Sequence, residues 1–143
     1  MTPQTWRIGA VRAGPNRRLV VTWRGGAESI IDLAQYLAEY AIFAPLRSDD
    51  DFFRRVAVGE WGWCAHWSDD MEISSDTLYS LALKQGGAWL RAWRAAHRMT
   101  EAEAARALGV SARMWLRYES GSQLLPKTLR LAGIGLDAQA EAA

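Results

Sequence analysis

The chain has 143 residues, half of them hydrophobic, with 17 Lys or Arg against 16 Asp or Glu and a single cysteine. That length buries one ordinary core or two small ones. No stretch reaches the roughly 20 apolar residues of a membrane helix, Met1–Ala10 lacks a basic-then-apolar leader pattern, and a single cysteine excludes an internal disulfide or a cysteine-rich zinc site, so a cytoplasmic protein of two small lobes is expected.

In chain order, Trp6–Val11 and Leu19–Trp23 read as β-strands joined by a turn at Gly14-Pro15-Asn16. Leu19, Val21 and Trp23 alternate onto one face. Arg24-Gly25-Gly26 then turns the chain into a third strand at Glu28–Asp32, which makes an antiparallel meander. Leu33, Tyr36, Leu37 and Tyr40 follow a helical period until Pro45 interrupts, and a second short helix is predicted over Asp50–Val56. Trp61, Trp63, Ala65 and Trp67 fall on every second position. In a strand this puts three indoles on one face, read as the buried face of a central strand in preference to an aromatic binding platform.

Chemistry is sparse in this lobe. Cys64 and His66 could begin a metal site, but no third or fourth Cys or His lies nearby, so no metal or cofactor is expected. The carboxylates at Asp49, Asp50 and Asp51 and at Asp69, Asp70 and Glu72 read as solvated turns and helix caps. With no nucleophile beside a base and no phosphate-cradling glycine loop, no enzyme is expected and no catalytic residue is assigned. The run F-A-P-L-R-S-D-D-D-F-F-R-R-V, then Trp67, then D-M-E-I-S-S-D-T-L-Y resembles the bacterial domain of unknown function 2442 over about Trp6–Leu83. Phe43, Pro45, Leu46, Phe52, Phe53, Val56 and the Asp76-Thr77-Leu78-Tyr79 ending match in order. The resemblance implies a small β-rich fold. Because some members are encoded beside small toxin-like proteins, it also implies a protein partner for this lobe.

The Gly pair in Lys84-Gln85-Gly86-Gly87 follows the apolar run Leu78–Leu83 and is read as the end of a helix and the start of a linker, dividing residues 1–84 from 85–143. Charge divides similarly. Met1–Gly86 holds nine basic and eleven acidic residues, a net of −2, whereas Gly87–Ala143 holds eight and five, a net of +3. The basic excess therefore sits on the second lobe.

In that lobe Trp89, Leu90 and Trp93 share a helical face, and Thr100 with Glu103 three residues on forms a capping-box pattern for the next helix. Ala104, Ala105 and Leu108 supply small and apolar contacts. Gly109 suits the positive φ that ends a helix sharply. Ser111 caps a third helix that turns Trp115 and Tyr118 inward and Ala112, Arg113, Leu116 and Arg117 outward. Leu124–Ala132 fits a further helix with Pro126 in its first turn, and Asp137–Ala143 reads as a frayed tail.

Thr100–Gly121, two short helices around Leu108-Gly109-Val110, has the sequence shape of a helix-turn-helix. Trp89–Leu136 resembles the repressor-like, Xre-type family of DNA readers. The overall expectation is an α+β protein: a small antiparallel β-rich domain with one or two helices, then an all-α domain of four or five helices. The resemblance implies base readout by Ala112, Arg113, Leu116 and Arg117, since Arg can donate two hydrogen bonds to guanine and Leu can meet a thymine methyl. Phosphate contacts are assigned to Thr100, Ser111, Arg91, Arg98 and Arg106. A structural ion pair between Arg94 and Glu119 is also implied. Glu101 departs from the family by standing where a phosphate-touching glutamine is common. The function expected is a double-stranded-DNA-binding regulator, acting as a homodimer. The alternative is an antitoxin-like protein whose first lobe neutralises a neighbouring protein, with DNA binding autoregulatory or lost.

Overall fold

The computed structural model describes residues 6–142; Met1–Thr5, on which the reading of the amino terminus partly rests, and Ala143 lie outside the described residues. The chain divides into two compact units, Met1–Leu81 and Ala82–Ala143.

The first unit opens with an antiparallel meander of β1 (Ile8–Ala13), β2 (Arg18–Trp23) and β3 (Glu28–Asp32), in the order β1-β2-β3. The expected first strand is displaced towards the turn: it begins at Ile8 rather than Trp6, and its register with β2 shifts between Ile8 and Ala10. The β1–β2 turn holds Asn16 and Arg17 at φ 56° and 60°. Two successive left-handed residues make the primed turn whose twist matches that of the strands. Arg17 is an unusual residue there. Its guanidinium donates to the Leu46 and Arg47 carbonyls at 2.7 and 2.8 Å and pairs with Asp50, which ties the turn to the helices that follow.

Those helices are α1 (Ala34–Glu39), α2 (Ala44–Ser48) and α3 (Asp50–Arg54). Leu33 and Leu37 are fully buried, as their spacing predicts, but α1 ends at Glu39 and Tyr40, extended and 48% exposed, leaves that face, so the break comes before Pro45. Pro45 occupies the first turn of α2, where its missing N–H has no helical acceptor to lose. The Asp49 carboxylate caps α3 by accepting from Phe52 N at 3.0 Å. The expected helix to Val56 ends at Arg54.

A second three-stranded sheet follows, β4 (Ala57–Val58), β5 (Cys64–Ser68) and β6 (Met71–Ser74), in the order β4-β5-β6. The tryptophan strand is the clearest departure from expectation. Trp61 has φ 58° within a 3-10 turn over Glu60–Gly62, and Gly62 has φ 77°. Two left-handed residues destroy the alternation that would align the indoles. Trp61 and Trp63 are 66% and 44% exposed, and only Trp67, 7% exposed, enters the core, where its Nε1 donates to the Phe53 carbonyl. Gly62 is needed for space as well as for its φ, because a Cβ there would lie 2.5 Å from the Ile8 carbonyl oxygen.

Helix α4 runs unbroken from Ser75 to Ala96, so Lys84–Gly87 is neither a helix end nor a linker. The glycine pair has a packing role. A Cβ on Gly86 would stand 2.9 Å from Leu125 Cβ, and one on Gly87 2.6 Å from the Glu119 carbonyl oxygen. Glycine here lets other backbone approach the helix. In the second unit, α5 (Glu101–Leu108), α6 (Ala112–Glu119) and α7 (Lys127–Ala142) complete a core of Leu90, Trp93, Ala104, Ala105, Trp115, Tyr118, Leu125 and Leu129. Thr100 and Glu103 form the full capping box of α5, and Gly109 ends it at φ 79°. Helix α7 begins just after Pro126 and continues to Ala142, in place of the expected frayed tail. Leu136 packs on the core and Asp137 bonds His97, which holds this stretch helical.

Two glycine substitutions in helices separate backbone propensity from packing. Gly135 lies in α7 with nothing within 4 Å of the position a Cβ would take, so Gly135→Ala should stabilise the protein by about 0.5–1 kcal/mol. Gly87→Ala gains the same propensity but meets the Glu119 carbonyl, and should lower stability by about 1–3 kcal/mol. Thermal melts of the two variants should move in opposite directions.

Candidate nucleic-acid interface

The second unit presents α6 with two chemically distinct sides. Trp115 and Tyr118 are buried, whereas Ala112, Arg113, Leu116 and Arg117 are exposed, Leu116 to 51%. The sequence spacing sorts these residues as the structure does. Arg113 and Arg117 stand one turn apart, and among the described residues neither guanidinium makes a hydrogen bond or an ion pair. Their donors are open to a ligand.

Helix α6 is held in place by its last residue. Glu119 is 7% exposed, and its carboxylate accepts a two-pronged contact from Arg94, Nη2 to Oε1 at 2.7 Å and Nε to Oε2 at 3.1 Å. The Trp115 indole N–H donates to the same Oε2. Arg91 Nη1 donates to the Glu119 carbonyl at 2.7 Å, and Arg94 reaches the Met99 carbonyl as well. Burial acts to raise the Glu119 carboxyl, but the Arg94 and Trp115 hydrogen bonds outweigh it and hold the group below its ordinary value. Both partners of a buried charge are thus satisfied.

Thr100 Oγ1 accepts from Glu103 N and Ser111 Oγ from Met114 N, both at 3.1 Å, so each hydroxyl caps a helix and keeps its own hydrogen to donate. Arg98 and Arg106 are exposed. Arg98 takes φ 52° where α4 ends, with Met99 N bonding back to the Arg94 carbonyl. Arg91 is engaged with α6. Glu101 is half-buried and its charge acts on Arg94.

Three contacts of this unit escaped sequence reasoning: the Arg91 bond to a backbone carbonyl, the Trp115 donation, and a link from His97 to Asp137. The His97 ring stacks on Trp93 with centroids 4.0 Å apart, and its two nitrogens lie 2.7 Å from the Trp93 carbonyl and 2.7 Å from Asp137 Oδ1. Both partners only accept. A ring protonated on both nitrogens alone satisfies both, and the bond to the Trp93 carbonyl, joined by Asp137, raises its pKa despite desolvation. No local motif announces a pair 40 residues apart.

In the first unit, Cys64, His66 and Glu72 come together, their ligand atoms all within 4.8 Å of one another. The sequence expectation of no metal site counts only Cys and His. Antiparallel pairing places the carboxylate of β6 beside both β5 residues. Burial and the Glu72 hydrogen bond push the Cys64 thiol up to about 11. Among the described residues no helix is long and apolar enough to cross a membrane.

A small α+β protein with one antiparallel β-rich unit and one helical unit is the class that this geometry defines. The chain belongs to the family described as "Protein of unknown function (DUF2442)", whose model matches residues 8–83. The fold is also similar to the crystal structure of a candidate DNA-binding protein from Nitrosomonas europaea, with 29% sequence identity, a TM-score of 0.51, and coverage of 92% of this chain and 86% of that one. No curated protein matches the chain.

Two measurements probe the charged contacts of this unit. Arg94→Ala leaves a buried carboxylate unpaired and should cost roughly 3–5 kcal/mol, whereas the apolar double replacement Arg94→Met/Glu119→Leu should cost less than the single variant. Equal losses in urea unfolding would assign the effect to packing rather than charge. His97, with its folded pKa raised, contributes stability that is complete below the unfolded value of about 6.5 and is lost as pH rises through the folded value. The stability difference between wild type and His97→Gln should therefore shrink from pH 6 to pH 8.5.

Proposed function

We propose that the chain is a sequence-specific DNA-binding protein, a small transcriptional regulator of the repressor-like helix-turn-helix type, with α6 as the helix that enters the major groove. The observation that carries this reading is the α6 surface: two unpaired arginines, a small residue and an exposed leucine follow a tight turn, on a helix anchored from behind by a buried ion pair. The resemblance of Trp89–Leu136 to Xre-type domains supports it. So does the likeness to a solved protein described as a candidate DNA binder, which spans both units.

In this reading Arg113 and Arg117 donate to guanine O6 and N7, Leu116 meets a thymine methyl, and Ala112 lets the backbone approach the groove edge. Thr100 and Ser111 hydroxyls and the Arg98 and Arg106 side chains meet phosphate, while Arg91 chiefly steadies α6. Two copies act together, reading half-sites about one helical turn, roughly 34–36 Å, apart. The protein binds rather than catalyses, works in the cytoplasm where its DNA is, and uses the β-rich unit to engage a protein partner.

Fluorescence anisotropy against DNA from upstream of the protein's own coding sequence, and against a scrambled duplex, tests this at two salt concentrations. Arg113→Ala or Arg117→Ala should weaken the preferred site by about 1–3 kcal/mol and erode the preference. Arg106→Ala should weaken both duplexes alike and reduce the salt slope by about one. Equal affinity of wild type for both duplexes would end the sequence-specific reading and favour the antitoxin-like one, in which the protein partner is the primary ligand.

A further inference from the structure

The β4-β5-β6 sheet carries a side-chain cluster that the DNA-reading role does not use. Cys64 and His66 are two residues apart on β5, and therefore on the same side of the strand, and Glu72 sits opposite His66 on β6. Cys64 Sγ lies 3.4 Å from Glu72 Oε2, and His66 Nδ1 lies 3.6 Å from the same oxygen. With metal bonds of about 2.3 Å to sulfur and 2.0–2.2 Å to nitrogen and oxygen, a tetrahedral zinc site sets its ligand atoms about 3.4–3.6 Å apart. The two separations to Glu72 already have that size, and the sulfur and the imidazole lie within 4.8 Å of each other.

A second feature shows that the position of the thiol is built into the fold. Gly59 has φ −75° and ψ 179°, extended backbone open to any residue, so its conformation does not call for glycine. A Cβ at Gly59 would instead lie 2.1 Å from Cys64 Sγ. The sulfur occupies the space that a side chain at position 59 would fill. Gly59 N also bonds the Cys64 carbonyl at 2.8 Å, which fixes the two backbones together. Asp69 Oδ1 lies 4.0 Å from His66 Nε2, beyond hydrogen-bond reach, so the second nitrogen of the ring stays open to solvent. The cluster faces an open cleft of about 610 Å³ whose other walls include the exposed Trp61 and Trp63.

We propose that Cys64, His66 and Glu72 form a binding site for a divalent transition-metal ion of the zinc class, with its fourth position open to the cleft. Sulfur, imidazole and a single carboxylate suit zinc or cobalt, and fit poorly with the all-oxygen shells of calcium and magnesium. On binding, the thiol gives its proton to solvent and the sulfur takes a metal bond in place of its hydrogen bond to Glu72. The site uses residues of the first unit alone.

The test uses full-length protein and cobalt(II) alone as the probe, followed by zinc. One cobalt per chain should bind with a near-ultraviolet thiolate-to-metal charge-transfer band, and zinc should displace it and bleach the band. Cys64→Ser should abolish the band. Glu72→Gln, His66→Gln and Gly59→Ala should each weaken zinc binding by about ten-fold or more, with circular dichroism unchanged. Failure to bind cobalt with a charge-transfer band overturns the proposal. So does stoichiometric binding that Cys64→Ser and Glu72→Gln leave unaltered, which would place the ion on surface carboxylates such as Asp69 and Asp70.

Discussion

The helical unit depends on one buried carboxylate. Glu119 closes α6, and its oxygens receive Arg94 of α4 and Trp115 of its own helix, while Arg91 takes its carbonyl. A carboxylate in the interior is costly unless its lone pairs are filled. The unit therefore has one arrangement of α4 and α6 that leaves no charge exposed to apolar surroundings. That constraint fixes the rotation of α6 about its axis, and so decides that Arg113 and Arg117 point away from the core. Gly87 belongs to the same device, since only a residue without a side chain lets the Glu119 carbonyl come so near α4.

Where local chemistry determines the outcome, the sequence is readable. The Thr100 capping box, the Gly109 helix end and the Ser111 cap each act within a few residues, and the structure shows all of them. The alternation of β2 and the inward turn of Trp115 and Tyr118 follow from periodicity alone. The failures have a common cause. In the sequence, Gly86-Gly87 suggest a helix end and Gly62 lies within a predicted strand, whereas Gly86 and Gly87 serve close approach within a helix and Gly62 combines a left-handed φ with a close approach. Nothing in the local sequence reveals which neighbour will come close.

The tryptophan run misleads for a related reason. Every-second spacing signals a strand only if the backbone stays extended, and Trp61 and Gly62 leave that region together. The candidate sites show the same division. Arg113, Leu116 and Arg117 lie on one short helix and can be grouped by counting. The Cys64, His66 and Glu72 cluster needs a hairpin register, and His97 with Asp137 needs the packing of two helices distant in sequence.

The void left by Gly59 extends beyond this molecule. A sulfur seated where a neighbouring side chain would otherwise grow couples two positions that share no motif, and the coupling can be read from text alone. Gly, four residues, Cys, one residue, His, five residues and Glu is the pattern at positions 59, 64, 66 and 72. Relatives keeping the cysteine but carrying a larger residue at the first position would have no room for the thiol in this pose. The pattern therefore marks the sequences of this family that keep room for the thiol in this pose.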